Sequence, residues 1–369
     1  MIKNNDAISS YQLSMIIIMT LIGVSAFRFV NEAISSSGKN SWLLIIIYGI
    51  LNIAAAWLLV SLNRRFPGKT FPEYIQEIIG VIPGKIITIA FVSYVLLGLS
   101  YEIREFTEVT KMFLLPNTPA EIIMLALILT CIYVVRGGVE CVARVVEITF
   151  PLLFIPFVLI LIPGLPALDL SNTLPLFRNM TEDAVRIMPD IPHAFFRTEY
   201  ILFYIGFMRN PKKAYKPVAL GLMFVTLFYS LTTLICLSAF GEEAAPKHIW
   251  PLLSYIRNIN IPGLLIERLD GVTLTIWVVT VFTTLATGYF IASYSLSKIM
   301  GTKEQKQYAI PLVIIIYYLA LQPDGLAQLY QWGNYVFKYV SGVFMYVIPI
   351  LLLLIASIRK LGVTENEKA

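Results

Sequence analysis

Apolar stretches long enough to cross a lipid bilayer fill nearly the whole of this 369-residue chain. A transmembrane helix needs roughly 20 mostly apolar residues, and residues 42–62 reach that length without a charged side chain. Mean hydropathy is +0.76, and 57% of the residues are hydrophobic whereas only 14% are charged. These values leave little room for a soluble domain, so we expect one integral membrane domain over residues 1–369.

The apolar segments can be delimited one by one, and we predict that each is a transmembrane helix. Their approximate bounds are 10–34, 41–62, 84–113, 119–136, 141–165, 189–208, 215–240, 267–299, 308–322 and 334–358. They form two halves of five, over residues 10–165 and 189–358. The predicted fold class is therefore all-α, a polytopic membrane protein with ten transmembrane helices.

Basic residues are concentrated in alternate loops. The loops after the second, fourth, sixth and eighth predicted helices and the C-terminal tail contain Arg64, Arg65, Lys69, Arg136, Arg209, Lys212, Lys213, Lys216, Lys298, Lys303, Lys306, Arg359 and Lys360. The opposite loops contain fewer, namely Lys39, Arg178, Arg186, Lys247, Arg257 and Arg268. The positive-inside rule therefore predicts that both termini are cytoplasmic, which requires an even number of spans. Because the basic residues are dispersed over short loops, the net charge of +5 does not indicate nucleic-acid binding.

Two predicted helices are interrupted near their middles, the first at residues 20–26 and the sixth at residues 189–199. They occupy corresponding positions in the two halves, which is typical of 5+5 inverted-repeat transporters. In such proteins the ends of broken helices offer free backbone groups to a ligand near the bilayer midplane. The alternative is that Gly23 only allows close helix packing and that Pro192 marks a helix start.

Ionisable side chains are costly inside a bilayer and normally face a partner or a wet cavity. The third predicted helix is rich in them. A helical projection places Tyr94, Tyr101, Arg104, Glu105 and Glu108 on one face. These residues either pair structurally, as Arg104 and Glu108 can at i,i+4 spacing, or line a polar path from outside to the site, with Glu105 able to bind a proton.

Two arginines follow the interruptions within a few residues. Arg28 has Glu32 four residues later, and Arg197 has Glu199 nearby in sequence. One interpretation is structural pairing. The other is that one guanidinium binds an anionic group of a ligand, because its planar fork matches a carboxylate.

The eighth predicted helix carries threonines on one face, Thr280, Thr284 and Thr287. Threonine hydroxyls in a membrane helix usually bond to the carbonyl four residues earlier. Because these hydroxyls fall near mid-membrane, the alternative is a contact with a ligand or an ion.

Patterns typical of enzymes, metals and cofactors are absent from the sequence. His193 and His248 have no companions at metal-ligand spacing, and Cys131, Cys141 and Cys236 lack paired spacing. We find no nucleotide-binding loop, nucleophile elbow or HExxH motif. The sequence therefore predicts no enzymatic activity, no cofactor and no metal site.

Several short motifs occur in a fixed order along the chain: RFPGKT at 65–70, LLPNTP at 114–119, GVECVAR at 138–144, EYILF at 199–203 and a longer segment at 251–270. In this order and spacing they resemble the B subunits of bacterial spore nutrient-germinant receptors. This is the spore germination permease family of the amino acid–polyamine–organocation superfamily. Two places depart from the family pattern: Phe195, Phe196 and Arg197 stand where small residues are expected, and residues 27–29 where a Pro-containing apolar run is more usual.

The resemblance implies a multi-pass receptor subunit of the spore inner membrane that binds a small nutrient, such as an amino acid. It would act with an A-type membrane subunit and a C-type lipoprotein subunit. By the family pattern the pocket lies between the two breaks and the facing parts of helices three and eight. That pattern corresponds here to Gly23, Val24, Ser25, Tyr101, Phe195, Phe196, Thr198, Thr284 and Thr287.

We therefore expect a receptor whose ligand favours one arrangement of the helix bundle, which the partner subunits then detect. The main alternative is a permease that moves a small solute, such as an amino acid, with a proton or a sodium ion. The sequence does not separate the two, because a receptor can keep a transporter's cavity.

Overall fold

The computed structural model describes residues 7–23, 25–259, 269–302 and 304–362, without the side chains at 192, 193, 337 and 338. These residues form helices and connecting turns and contain no strand. One isolated parallel bridge joins Ile8 to Met208. The predicted all-α class is therefore confirmed.

Seven α-helices make up the first half of the chain. They are α1 (Ser10–Ile22), α2 (Ser25–Ser37), α3 (Ser41–Arg65), α4 (Phe71–Ile79), α5 (Val81–Phe113), α6 (Ala120–Arg136) and α7 (Val139–Leu161). Together α1 and α2 form the first predicted span, which is interrupted as expected. The short α4 is an amphipathic connection that begins with a capping box between Thr70 and Glu73.

Ten α-helices make up the second half. They are α8 (Met180–Ile187), α9 (Ile191–Phe195), α10 (Ile201–Tyr204), α11 (Tyr215–Ala244), α12 (Pro251–Asn258), α13 (Leu269–Met300), α14 (Lys306–Ala309), α15 (Pro311–Leu321), α16 (Leu326–Tyr335) and α17 (Ile348–Ile358). The sixth predicted span is divided into α9 and α10. Two π-helical segments, Val336–Val340 and Val343–Val347, join α16 to α17. The first two residues of the eighth predicted span, 267 and 268, lie outside the described residues.

Helix length and hydropathy alone identify fewer spans than the ten predicted. Within the described ranges, five helical segments are long and apolar enough to cross a membrane, or six if the pair Lys306–Leu321 and Leu326–Tyr335, bent by 113°, is one span. The difference arises because the first, sixth and last predicted spans are divided and α6 has only 17 residues.

The centre of the bundle is formed by α13, which packs against α1, α5, α6 and α7. In its most apolar part 72% of the residues are buried, compared with 22% for the span that contains α7. Ile148 and Leu152 of α7 remain more than half exposed. A bilayer would cover these side chains, so α7 is peripheral whereas α13 positions the site.

The two sides of the bundle are named here after the predicted orientation. The outer face carries α8 and α12, which both pack against α2. The inner face carries the N-terminal end of α1 and residues 207–209, where Ile8 N donates to Phe207 O at 2.8 Å and Arg209 N to Ile8 O at 3.1 Å.

Candidate functional site

The break in the first span lies at Gly23, between the end of α1 and the start of α2. Gly23 is buried, and a Cβ added there would lie 2.6 Å from Thr284 Oγ1 of α13. Glycine is thus required by the close approach of the two helices. Ser25, the first residue of α2, is half-buried. Val24, which was also predicted to line the pocket, lies outside the described residues.

Side chains of α13 bind carbonyl groups at this break. Thr284 Oγ1 donates to Met19 O at 2.7 Å and also lies 3.0 Å from Thr280 O in its own helix. Trp277 Nε1 donates to Gly23 O at 3.2 Å. The Thr284 hydroxyl therefore lies near the carbonyl four residues earlier, as one of the two alternatives predicted, and also binds the broken helix. Contact with a ligand or an ion stays a prediction.

Two further carbonyls of α1 are bound by residues of the second half. Tyr229 of α11 donates its hydroxyl to Leu21 O at 2.9 Å. Arg197 Nη1 donates to Thr20 O at 3.3 Å. Broken helices expose such carbonyls to ligands and ions. In this arrangement four of them are already occupied by side chains.

Thr287 also takes part in the contact between α13 and the end of α1. Its Oγ1 lies 3.1 Å from Thr20 Oγ1 and 2.6 Å from Thr284 O. Its carbonyl accepts a hydrogen bond from the Tyr204 hydroxyl at 2.9 Å. Thr284 and Thr287 thus face the first break directly, and a ligand site on this helix face stays a prediction.

The second break lies between α9 and α10 and turns at Arg197, whose φ is 80°. A positive φ is uncommon for a residue with a side chain and indicates a backbone held in place by its surroundings. Phe195, Phe196 and Thr198 are all buried here. Thr198 Oγ1 donates to Phe195 O at 2.7 Å, which caps the end of α9.

Arg197 forms a buried ion pair with Glu102 of α5, with Nη2 2.7 Å from Oε1 and both side chains only 2% exposed. Its guanidinium carbon also lies 4.3 Å from the centre of the Phe196 ring. The sequence had suggested Glu199 as its carboxylate partner, and this was wrong. Glu199 instead accepts a hydrogen bond from the Tyr94 hydroxyl at 3.0 Å.

Glu102 was missed because the helical projection placed it about 60° beyond the polar face of α5. The sequence nevertheless contained an indication that Glu102 is paired. A carboxylate on an otherwise apolar side of a membrane helix needs a cation from another helix. The sequence could therefore have marked Glu102 as paired, although the identity of its partner depends on helix packing.

A second cluster joins α2, α5 and α16 toward the outer face. Arg28 Nε lies 2.6 Å from Glu32 Oε1, and its Nη1 donates to the Tyr101 hydroxyl. Its Nη2 donates to Asn334 Oδ1 at 3.1 Å. The guanidinium carbon stacks 3.9 Å above the Tyr330 ring. The predicted pocket residue Tyr101 therefore lies in this outer cluster and contacts Arg28.

The residues of the predicted polar face of α5 contact different partners. Glu105 accepts a hydrogen bond from the Tyr330 hydroxyl at 3.1 Å and so extends the outer cluster. Arg104 and Glu108 form the i,i+4 pair with a distance of 2.8 Å, and Arg104 Nη1 reaches Ala320 O at 3.4 Å. These contacts close the outer side of the bundle above the two breaks.

Polar contacts also join helices at the inner face. Gln12 Nε2 of α1 donates to Glu147 Oε2 of α7 at 2.8 Å. Arg144 Nη2 lies 2.6 Å from Glu140 Oε1 within α7. The site is therefore closed by polar clusters on both sides.

The described residues enclose a small cavity beside the first break. A cavity of about 50 Å³ lies there, lined by apolar residues of α1, α7, α11 and α13 together with Gly23 and Trp277. Sites for small molecules usually measure 300–1,000 Å³. This cavity is too small for such a ligand, and the carbonyls beside it are occupied. We call this arrangement of the described residues the closed arrangement; a ligand of that size enters the cavity only if the helices move.

Comparison with known proteins places the chain in a family. The family model described as "Spore germination protein" matches residues 7–325. The chain belongs to the spore germination permease family. The resemblance read from the sequence motifs is therefore confirmed.

Curated relatives match over most of their length. The chain is 28% identical over 368 residues to spore germination protein YndE of Bacillus subtilis (strain 168), covering 98% of this chain and 99% of that protein. It is 26% identical over 334 residues to spore germination protein B2 of the same organism, covering 90% and 91%.

Solved transporter structures show the same fold. MhsT in complex with L-phenylalanine aligns with a TM-score of 0.67 at 13% identity, covering 90% of this chain and 87% of MhsT. Mhp1, a nucleobase-cation-symport-1 family transporter in a closed conformation, aligns with a TM-score of 0.65 at 11% identity, covering 92% and 77%. These matches confirm the predicted transporter-type helical fold, and with the family they indicate a non-enzymatic membrane receptor or transporter.

Proposed function

We propose that this protein is a germinant-receptor subunit that binds a small nutrient, an amino acid or a similar molecule, between the two helix breaks. The observation that carries the proposal is the buried Arg197–Glu102 ion pair beside the carbonyls of the first break. A zwitterion carries one negative and one positive charge. At this mid-membrane site its negative group can replace Glu102 as the partner of Arg197, and its positive group can replace Arg197 as the partner of Glu102. The match to MhsT with bound L-phenylalanine supports a ligand of this size for the fold.

Exchange of charges explains how a ligand can control the closed arrangement. The ligand's carboxylate forms an ion pair with the guanidinium of Arg197. Its ammonium group pairs with the carboxylate of Glu102 and donates a hydrogen bond to a carbonyl of the first break. Separating the ion pair without replacement leaves uncompensated buried charges, which costs about 3–5 kcal/mol when one partner is removed. The bundle therefore stays closed without a ligand. It opens when the ligand pairs with both Arg197 and Glu102.

The resulting change is a shift between two populations of the bundle. Entry from the outer face requires Arg28 to leave its contacts with Tyr101 and Asn334. An A-type membrane subunit and a C-type lipoprotein subunit then detect the altered bundle. The proposed location is the spore inner membrane, with both termini in the cytoplasm.

The second candidate is an amino acid permease coupled to a proton or sodium ion. The interrupted first span favours it, because the carbonyls of broken helices also coordinate ions in transporters. Uptake of labelled amino acid by the purified protein alone in liposomes supports the permease. Binding without uptake supports the receptor.

The test uses Arg197→Gln, with Arg186→Gln as the matched control, because Arg186 is exposed and pairs only locally with Glu182 at 2.6 Å. Spores carrying each variant are screened for germination against a nutrient panel, and membrane insertion is checked by the amount of protein in the inner-membrane fraction. We expect Arg197→Gln to raise the required nutrient concentration at least tenfold, whereas Arg186→Gln leaves it unchanged. An unchanged response in stably inserted Arg197→Gln contradicts the proposed site.

A further inference from the structure

The carboxylate of Glu199 uses only part of its hydrogen-bonding capacity. Oε1 accepts the Tyr94 hydroxyl at 3.0 Å, whereas Oε2 has no hydrogen-bond partner among the described residues. The residue is 0% exposed. A buried ionised oxygen without a donor is strongly unfavourable. The Oε2 atom therefore points to a bound positive species.

The charge balance of the surrounding cluster leads to the same conclusion. Arg197 is paired with Glu102 at 2.7 Å, so one guanidinium serves two carboxylates. If both carboxylates were ionised, the cluster would carry one excess negative charge in the middle of the bundle. An isolated charge in such surroundings costs several kcal/mol.

The other groups that face Glu199 do not supply a second cation. The titratable neighbours are Tyr94 of α5, Tyr200 beside the break and Tyr346 of the last span. Tyrosine is neutral at physiological pH. Helix α3 contributes Asn52, which donates to Thr198 and has no charge. Within the described part of the chain, none of these neighbours of Glu199 supplies a positive charge, so a bound cation or a proton is the species that can neutralise its carboxylate.

We propose that Glu199 is a proton-binding site, and that its proton neutralises the Arg197–Glu102–Glu199 cluster in the closed arrangement. The Tyr94 hydroxyl donates to Oε1, and the proton sits on Oε2, which makes the carboxyl group neutral. Because the cluster joins α5 to the second break, loss of this proton weakens the closed arrangement. The proton site shares Arg197 and Glu102 with the proposed nutrient site, but protonation of Glu199 in the closed arrangement requires no bound nutrient.

A proton fits this position better than a metal cation does. A sodium ion at a helix break is coordinated by several oxygen atoms, including backbone carbonyls. Here the carbonyls of the first break are already bound, by Thr284, Tyr229 and Trp277 among others. Oε2 of Glu199 lacks a hydrogen-bond partner among the described residues, and one oxygen is enough for a proton.

The test is infrared spectroscopy of the purified full-length protein in lipid nanodiscs at neutral pH. The carbonyl stretch of a protonated carboxylic acid is separated from the carboxylate bands, so the wild-type spectrum minus that of Glu199→Gln should contain one carboxylic acid band. Glu77→Gln is the matched control, because Glu77 is 40% exposed and pairs with Lys69. Its difference spectrum should show lost carboxylate bands instead. Tyr94→Phe should shift the Glu199 band without removing it, since Oε1 loses its donor.

Two results overturn the proposal. The first is a Glu199→Gln difference spectrum that shows lost carboxylate bands, which means that Glu199 is ionised. The second is a wild-type unfolding midpoint that rises when sodium replaces potassium at constant ionic strength, with no such change in Glu199→Gln. That result assigns the position to a metal cation. If Glu199→Gln does not fold, an unshifted carboxylic acid band in Tyr94→Phe contradicts the assignment.

Discussion

Replacement of Gly23 by alanine tests the close approach of the broken span to α13. The new Cβ would lie 2.6 Å from Thr284 Oγ1, closer than real Cβ atoms approach other atoms, and 3.1 Å from Thr284 Cγ2, which is also a tight contact. Thr284 must therefore move away and give up its 2.7 Å hydrogen bond to Met19 O. Overpacking costs about 1–3 kcal/mol, and a buried carbonyl left without its donor costs about 1–3 kcal/mol. We expect Gly23→Ala to lower the free energy of unfolding by about 2–6 kcal/mol in total.

The measurement is reversible unfolding of the purified protein in mixed detergent, with two further variants. Gly271→Ala is the matched control, because nothing lies within 4 Å of a Cβ at that position in α13. It should be neutral or stabilise by up to about 1 kcal/mol. The double variant Gly23→Ala/Thr284→Ala removes the colliding atoms and should recover part of the loss. If Gly23→Ala is as stable as Gly271→Ala, or if the double variant is no more stable than Gly23→Ala, then the collision with Thr284 does not determine stability at this position.

Two further predictions concern the closure of the bundle and its inner face. Arg28→Gln removes the contacts that hold α2 to α16, so a cysteine introduced by Ser25→Cys should react several-fold faster with a membrane-impermeant thiol reagent than it does without Arg28→Gln. Equal rates would show that Arg28 does not restrict access from outside. On α4, burial raises the pKa of Glu73, but hydrogen bonds from Lys298 and Thr70 outweigh it and hold the pKa below its usual value of 4.5. Glu73 therefore contributes stability above pH 4.5 that is lost as the pH falls further, so Glu73→Gln should lower the unfolding midpoint at pH 7 and have a smaller effect at more acidic pH. A constant difference across that range would contradict the assignment.

The helices and their two breaks could be predicted from the sequence because they depend on local properties. Apolar length sets where a helix crosses the bilayer, and the interruptions at Gly23 and near Pro192 are visible as departures from an apolar run. The Arg28–Glu32 pair was also predictable, since one turn of helix brings the two side chains together. Span counting by length alone was less successful, because divided helices and the 17-residue α6 are individually too short.

The partners across the site could not be predicted, since they depend on how distant helices pack. Arg197 pairs with Glu102, which is nearly a hundred positions away, although Glu199 is its neighbour in sequence. The same holds for Trp277, whose indole binds Gly23 O across the bundle. Nor could the sequence reveal that the carbonyls of the first break are occupied. Only the folded structure shows which side chains bind them.

The central claim is that a small nutrient binds between the two breaks by exchanging charges with the Arg197–Glu102 pair. Once a germination screen identifies the nutrient, cryo-electron microscopy of the protein with that nutrient bound tests the claim most directly. We expect ligand density between residues 19–23 and 195–198, with Arg197 and Glu102 no longer in contact. Density elsewhere, with the 2.7 Å ion pair intact, would contradict it.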